Sequence, residues 1–543
     1  MADKLFRTYY NEKTELSAAL DAGKILVQSG TDEPKKVDAN LFASQLDLNS
    51  KENTSNKQNS LAVDGTGLKY PTVDAVNAAN DIQNTELQLS QKFTSFGESY
   101  VNNFRSSMLD LGDEFFTSSA GYQIGKNKQL GLQPSLQMLP ISGQAGKLRS
   151  IGSNRVNDFT VARNSTATYI DEDGLIKTAL ANVPRFDYSE GLDPSLLLEP
   201  QSTNLVTYSE DFSNSYWNKP RSSVVSGFSS PNGSLSAFKL VEDTSTASHY
   251  LNRSFTVGNT NLDYTFRIKV KKAERNNIWI QLYASGGTVV EAAAFFNLTT
   301  KVFTSLSGGI VCDYNDLADG YIDVKAIINC GNNNNLQTNV YIANSTPVIS
   351  YTGDGTSGVF IFGAQLEQSS FATSYIPTSG TTVTRLADVV NNAGDVNTFN
   401  SSEGVLYAEI KGFTDLIPSS NYIQLSKNGE SGFSNSLVIQ RRDNGFLRIY
   451  SNGSATQDIQ FNENIDFTEN HKIAVLYKLN GYKLFIDGAS KPLYLTPTQS
   501  VFSGLDNLSF DLRGASNWSD LIKDLRVYKT ALTDAQLTEL TTL

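Results

Sequence analysis

The sequence predicts a mostly β protein: two antiparallel β-sandwich domains behind a small N-terminal anchor and a coiled-coil helix. Three observations carry that expectation. Charged residues make up 18% and aromatics 10% of the chain, with Ser, Thr, Asn and Gly abundant throughout, a balance suited to short strands joined by turns. Turn signals recur from 200 to 388 and again from 400 to 543 at the spacing of antiparallel sandwiches. A helical period sets in at one long stretch only, from Val73. With 543 residues there is room for three or four cores. The expected division is an anchor and linker at 1–72, a helix at 73–118, an extended connector with a hairpin at 119–199, and sandwiches at 200–388 and 400–543.

Taken in order, Thr14 caps a short helix at 15–22, Gly23 stops it, and 24–28 reads as a buried strand. Residues 30–66 turn polar, and SKENTSNKQNS at 50–60 reads as linker. From Val76 to Leu111 the apolar and aromatic positions follow helical spacing, with steps from Leu89 of 4, 3, 4, 4, 4 and 3. That is a heptad seam with a four-residue stutter. One reading is an amphipathic helix packed on its own domain. The other is a parallel coiled coil, because the flanks are polar and no helical partner lies nearby in sequence. Its seam is Ile82, Leu89, Phe93, Phe96, Tyr100 and Phe104, and the aromatics call for the wide core of a homotrimer. Residues 119–162, with Pro134 and Pro140 and little periodicity, read as an extended connector.

Residues 163–217 organise the rest. Alternation at 166–170, turn chemistry at Asp171-Glu172-Asp173-Gly174 and a return at 175–178 make a hairpin. Leu196-Leu197-Leu198-Glu199-Pro200 is a short strand stopped by proline. The phrases RNSTATY and LLLEPQSTNL resemble the segment that precedes a carbohydrate-binding-like jelly roll in tailed-phage appendage proteins. The resemblance implies a virion fibre. Strands are expected at 264–270, 277–283, 292–298, 321–328, 337–343 and 358–362. GAQLE at 363–367 and SYIPT at 374–378 again resemble the end of that jelly-roll module. The stretch from Lys57, KQNSLAVDGTGLKYPTVDAVN, is similar to one in structural proteins of Bacteroidota-infecting phages, crAss-like phages among them, and implies such a host group.

Beyond 400, hairpins are expected at 438–450, around Asp443-Asn444-Gly445, and at 472–487, turning at Asn480-Gly481. YKLFIDG, then DLRVY and ALT, is similar to laminin-G-like and concanavalin-A-like lectin domains. Fold does not carry ligand with it. Thr533 with Gln536 makes a capping box for a closing helix, and Leu532 with Leu537 a hydrophobic staple.

Chemistry is sparse. There are two histidines, His249 and His471; His471 opens a strand beside Asn470 with no cysteine or second histidine near it in sequence, and reads as structural. No nucleophile elbow, phosphate loop or Cys-x-x-Cys is present, so no enzyme is expected. The alternatives are a fibre-borne glycan hydrolase, whose paired carboxylates sequence cannot place, and a decoration protein without ligand. Asp171, Asp173 and Gly174 look superficially like a calcium loop, but Asn182 stands where such a loop needs Glu, so a turn is expected. No cofactor is expected, structural calcium on scattered loop carboxylates aside. Trp217 and Trp518 read as core. Trp279 alternates with Ile278 and Ile280 and is a candidate sugar platform. In the 438–450 hairpin a three-residue loop pairs Gln440 with Arg448 and Val438 with Tyr450, so Gln440, Arg448 and Tyr450 share the polar face. That face is a second candidate platform, or else an ordinary solvated exterior.

Cys312 is expected opposite about Asp323, far from Cys330, leaving two free thiols. Net charge is −12 with no block of like charge, which argues against nucleic acid. No apolar run reaches signal-peptide or membrane-span length, so no membrane insertion is expected. The expected partners are copies of itself, other virion proteins through the N-terminal region, and host-surface glycans. The expected location is the virion, after assembly in the host cytoplasm.

Overall fold

A computed structural model of the chain describes residues 24–27, 35–38, 62–63, 69–70, 133–151, 158–258, 261–344, 348–413, 420–430, 432–452, 459–479, 481–492, 502–512 and 517–543. The chain divides into two compact units, 1–132 and 133–543. In the first, Lys24–Val27 pairs antiparallel with Lys35–Asp38, and Ala62–Val63 with Lys69–Tyr70. The strand expected at 24–28 is present, and its partner comes from the stretch read as polar. The helices expected at 15–22 and 73–118, with the seam from Ile82 to Phe104, lie outside the described residues.

The second unit is nearly all strand. Its middle is a sandwich of two six-stranded antiparallel sheets. One sheet runs, in spatial order, Ser222–Phe228, Ala237–Glu242, Gly358–Glu367, Asp263–Lys272, Ile322–Asn329, Val311–Asp316. The other runs Val302–Ser307, Val290–Asn297, Asn277–Ser285, Asn335–Ala343, Thr246–Thr256, Ser350–Thr352. Alternation decides which side faces in. Ile268, Val270, Ile278, Ile280, Leu282, Val324 and Ile361 fill the space between the sheets at 0% exposure. The outer side of the first sheet is covered by the chain itself. The Ala167–Ile170 and Ile176–Ala179 hairpin brings Ile176 against Phe362, Tyr321 and Tyr375. Thr168 Oγ1 donates to the Tyr375 carbonyl at 2.5 Å. The turn reading of Asp171–Gly174 holds: Asp171 Oδ1 accepts from the amides of Asp173 (3.0 Å) and Leu175 (2.8 Å). Gly174 takes the positive φ of 75° that closes the turn.

The second sandwich draws its strands from both sides of the first. Its five-stranded sheet runs Ile459–Asn464, Phe446–Asn452, Ser436–Arg441, Asn421–Ser426, Asn507–Ser509. Its larger sheet centres on Glu403–Lys411, His471–Lys478 and Leu521–Tyr528. To these it adds Leu136–Gln144, Lys147–Ile151, Phe159–Ala162 and Ser195–Leu197. Leu136, Met138, Leu148, Phe159, Leu196 and Leu198 lie in one core with Leu406, Ile473, Leu484 and Val527. The stretch expected as an extended connector therefore supplies strands to this sheet. The first sandwich is threaded into the chain of the second. It leaves and returns through a short antiparallel pair, Ser202–Asn204 with Val383–Arg385. The closing helix Asp534–Thr541 carries the expected reciprocal cap, Thr533 Oγ1 from the Gln536 amide and Gln536 Oε1 from the Thr533 amide.

Cys312 and Cys330 are both free thiols. Their register differs from expectation, since Cys312 pairs with Ala326 and it is Asn315 that faces Asp323. The loop between the strands is shorter than the sequence suggests: Asp316 already pairs with Ile322. Ala326 and Cys330 stand four residues apart along one strand, roughly 13 Å, so the thiols stay out of disulfide reach. Burial pushes Cys312 up to about 12 and Cys330 up to about 11. No helix among the described residues is long and apolar enough to cross a membrane.

Candidate functional site

The side of the threaded sandwich's second sheet that faces away from its core gathers rings and amides, of which Trp279, Gln281, Tyr283, Tyr250 and Tyr341 are half-buried and Phe295, Asn252 and Asn339 are buried. Along Asn277–Ser285 the core takes Ile278, Ile280, Leu282 and Ala284, each at 0% exposure. Trp279, Gln281 and Tyr283 point the other way and are half-buried. Register then aligns their neighbours. Trp279 pairs with Phe295 on one side and Tyr341 on the other, and Tyr341 pairs with Tyr250. Four rings thus stand side by side on four strands, a row about 14 Å long at ordinary strand spacing. The next row is Asn252, Asn339, Gln281 and Ala293, and the one after it Ser254, Gln337, Tyr283 and Glu291.

Hydrogen bonds fix these groups before any ligand arrives. Gln281 Oε1 accepts from the Tyr341 hydroxyl at 3.1 Å and from Asn339 Nδ2 at 3.2 Å. Its Nε2 donates to Glu291 at 2.5 Å. Asn252 Oδ1 accepts from Asn218 Nδ2 at 3.1 Å. The Tyr250 and Tyr341 rings stack with centroids 4.5 Å apart. Burial, with Tyr250 and Glu291 adding to it, pushes the Tyr341 phenol up to about 12, so it stays a neutral donor at ordinary pH. Glu291 is the single acidic side chain in the three rows, and no basic one stands among them. Aromatic faces stack on the C–H faces of sugar rings while amides and hydroxyls bond their hydroxyl groups. Glycoside hydrolysis needs two carboxyls across a cleft; these rows hold one.

The second expected platform forms in the predicted register, with Gln440 opposite Arg448, Val438 opposite Tyr450 and Ile439 opposite Ile449. The three-residue loop closes through the Arg442 amide on the Phe446 carbonyl at 2.9 Å. Gln440, Arg448 and Tyr450 share a face, and the Arg448 guanidinium lies 4.7 Å from the Tyr450 ring centre. The face is not open as expected of an exterior: Gln440 is 5% and Tyr450 7% exposed. Phe433, from the loop joining the Asn421–Ser426 and Ser436–Arg441 strands, sits over it with its ring 4.6 Å from Tyr450. That contact crosses the sheet between sequence-distant residues, and nothing local announced it.

Elsewhere the singled-out residues are structural. Trp217 is 2% exposed and donates to the Tyr208 carbonyl at 2.9 Å, and Trp518 is fully buried. His249 is fully buried, bonded to the carbonyls of Arg221 and Tyr351. His471 bonds Asp487 at 2.7 Å and the Asp466 carbonyl at 2.8 Å. Among the described residues no group of three or more His, Cys, Asp or Glu stands where it could hold a metal ion.

No protein-family model matches the chain, and no curated protein sequence matches it. Parts of it are similar to solved structures. The CBM40 domain of the Ruminococcus gnavus IT-sialidase, solved with alpha2,3 sialyllactose, is 13% identical at a TM-score of 0.23, over 26% of this chain and 84% of that one. Domain 4 of AbnA, a GH43 extracellular arabinanase from Geobacillus stearothermophilus, is 16% identical at 0.23, over 32% of this chain and 82% of that one. The receptor-binding domain of a botulinum neurotoxin C/D mosaic serotype is 14% identical at 0.24, over 28% of this chain and 40% of that one.

Proposed function

We propose that this chain is a fibre protein of a tailed-phage virion that adheres to host-surface glycans, and that the Trp279 face is its adhesive surface. The observation that carries the binding assignment is the ring row of Tyr250, Tyr341, Trp279 and Phe295 beside the prearranged amides of Asn252, Asn339 and Gln281. A sugar ring lies with its C–H face on Trp279 or Tyr341, and its edge hydroxyls reach Gln281, the half-buried amide of the row. Because Gln281 is already held by Asn339, Tyr341 and Glu291, little side-chain freedom is lost on binding. The fibre assignment is supported by the paired motifs at 163–204 and 363–378. The N-terminal region is then the dock onto other virion proteins, and the Ile82–Phe104 seam the trimer core.

Removing Trp279 and Tyr341 together takes away two stacking contacts, each about 0.5–1.5 kcal/mol beyond area burial. Trp279→Ala with Tyr341→Ala is expected to weaken binding to host cells or immobilised host polysaccharide about 10- to 100-fold. Circular dichroism would stay unchanged. Unaltered binding by a folded double variant would remove this face from the assignment. Release of reducing sugar from host polysaccharide by the purified protein would favour the glycan hydrolase instead.

A further inference from the structure

Charge in the three rows of the Trp279 face has one sign, and it sits at the open end. Trp279, Gln281 and Tyr283 project from one strand over roughly 14 Å. In the row at the Tyr283 end, Tyr283 and Gln337 are half-buried while Ser254 and Glu291 are exposed. Glu291 pairs with Tyr283 across the strands, and its Oε1 accepts from Gln281 Nε2 at 2.5 Å. The carboxylate is therefore held beside the ground between the Trp279 and Tyr283 rings. Its field reaches two strands away: after burial and Tyr250, Glu291 adds to the upward push on the Tyr341 phenol.

The basic side chains that border this face are engaged elsewhere. Arg253 follows Asn252 along its strand and by alternation takes the other side. There its guanidinium lies 4.0 Å from the Tyr216 ring centre and donates to the Tyr216 carbonyl at 2.9 Å. Lys219 Nζ donates to the carbonyls of Phe212, Asn214 and Trp217, at 3.1, 3.1 and 2.8 Å. The charge of Arg221 acts on Asp243, whose carboxyl is held low by Ser245 first and by His249 and Arg221 less. Lys301 bonds Asp316, on the edge strand of the other sheet, at 2.5 Å. The neutral donors of the face, the Trp279 indole N–H, the Tyr283 hydroxyl and the Gln337 amide, serve sugar oxygens but offset no charge. An acidic sugar laid on these rings would meet a carboxylate and no cation.

We infer that the Trp279 face takes glycans whose sugars carry no carboxylate, phosphate or sulfate, and that Glu291 sets this selection. The inference rests on the adhesive reading of that face. The sugar seated between Trp279 and Tyr283 donates its hydroxyls to Glu291, since a carboxylate only accepts. An acidic sugar in the same place brings two like charges together where water is partly displaced, which lowers its affinity against the neutral one. Glu291 thus acts by what it turns away as much as by what it bonds.

For the test, host-cell polysaccharide is divided by anion exchange into an unretained, neutral fraction and a retained, acidic one, and each is immobilised. The full chain, its Glu291→Gln and Glu291→Lys variants and the double variant Trp279→Ala with Tyr341→Ala are titrated over both by biolayer interferometry. The wild type is expected to bind the neutral fraction about tenfold more tightly than the acidic one, and the double variant to lose that binding. Glu291→Gln keeps the side chain's shape and removes its charge, so it should bring the two fractions to within about threefold. Glu291→Lys should turn the preference toward the acidic fraction. Acidic material bound by the wild type as tightly as neutral, or a preference that survives Glu291→Gln, overturns the inference and leaves the adhesive reading standing. Binding that persists in the double variant, or binding to neither fraction, defeats the adhesive reading and this inference with it.

Discussion

Arg185 is enclosed completely, and its guanidinium bridges Glu199, at 2.7 Å, and Asp388. Arg163 reaches Asp388 at 2.7 Å, and Arg385 stands 3.5 Å from Glu199. Burial alone would raise the Glu199 carboxyl, but Arg385 and Arg185 hold it down to about 2. Arg163 and Glu199 are the first and last charged residues of the motif pair RNSTATY and LLLEP, so those motifs have a physical role. They build the ion cluster at the neck where the chain passes between its sandwiches. Arg185→Met leaves two carboxylates buried with one cation fewer. It is expected to cost about 3–5 kcal/mol, read as a lower urea midpoint. His471 gives a pH signature. Burial lowers its pKa, but the hydrogen bonds to Asp487 and the Asp466 carbonyl, with both carboxylates, more than reverse this and raise it. Its stabilising contribution is therefore whole below the unfolded value near ~6.5 and is lost as pH rises through the higher folded value. The stability gap between the wild type and His471→Gln should shrink from about pH 6 to about pH 9, by urea melts at each pH. A gap that widens would mean the imidazole is buried neutral.

Single strands and hairpins were the most legible parts of the sequence, because side-chain alternation and turn residues are local. Strands expected at 264–270, 277–283 and 337–343 appear as Asp263–Lys272, Asn277–Ser285 and Asn335–Ala343. The 438–450 register was set by Gly445, which takes φ of 79°, and by Ile439 needing to face Ile449. Trp279 was legible for the same reason. Its three ring neighbours were not, since Tyr250, Phe295 and Tyr341 meet it only once strands from separate hairpins are laid side by side. Leu196 shows the limit from the other direction. Its strand is obvious, but its partner Ile522 is over three hundred residues away. Leu196→Ala opens a cavity in the second sandwich and is expected to cost about 2–5 kcal/mol. Correspondingly, a fragment of 389–543 lacks the Leu136–Leu198 part of its core and is expected to aggregate or stay unfolded. The fragment 133–543 should melt cooperatively by calorimetry.

At the scale of the molecule, threading one sandwich into another puts the Trp279 face on a body whose two connections lie together at the Arg185 neck. Asp388 donates its amide to the Glu199 carbonyl at 3.0 Å, and Ser202–Asn204 pairs with Val383–Arg385. The two connections of that body run through paired strands and buried ions rather than through a loose linker. If the helix at 73–118 is the three-stranded coiled coil its spacing calls for, sedimentation of residues 70–543 should give a trimer at micromolar concentration. Phe96→Asp should shift it to monomer, because three charges would enter one core layer. A monomer in the unaltered fragment would return that helix to the amphipathic reading.

By itself the sequence determined the β class, most strand positions, the Asp171 turn, the closing helix cap and the outward side of Trp279. Each of these rests on contacts within a few residues, where backbone period and turn chemistry leave a readable trace. Tertiary structure alone decided that 136–198 belongs to the second sandwich, that four rings form one row, that Phe433 closes the other face and that Cys312 pairs with Ala326. All four depend on which strand lies beside which. Pairing between distant strands is fixed by burial of both faces at once, and burial is a property of the whole fold, not of any one stretch of chain.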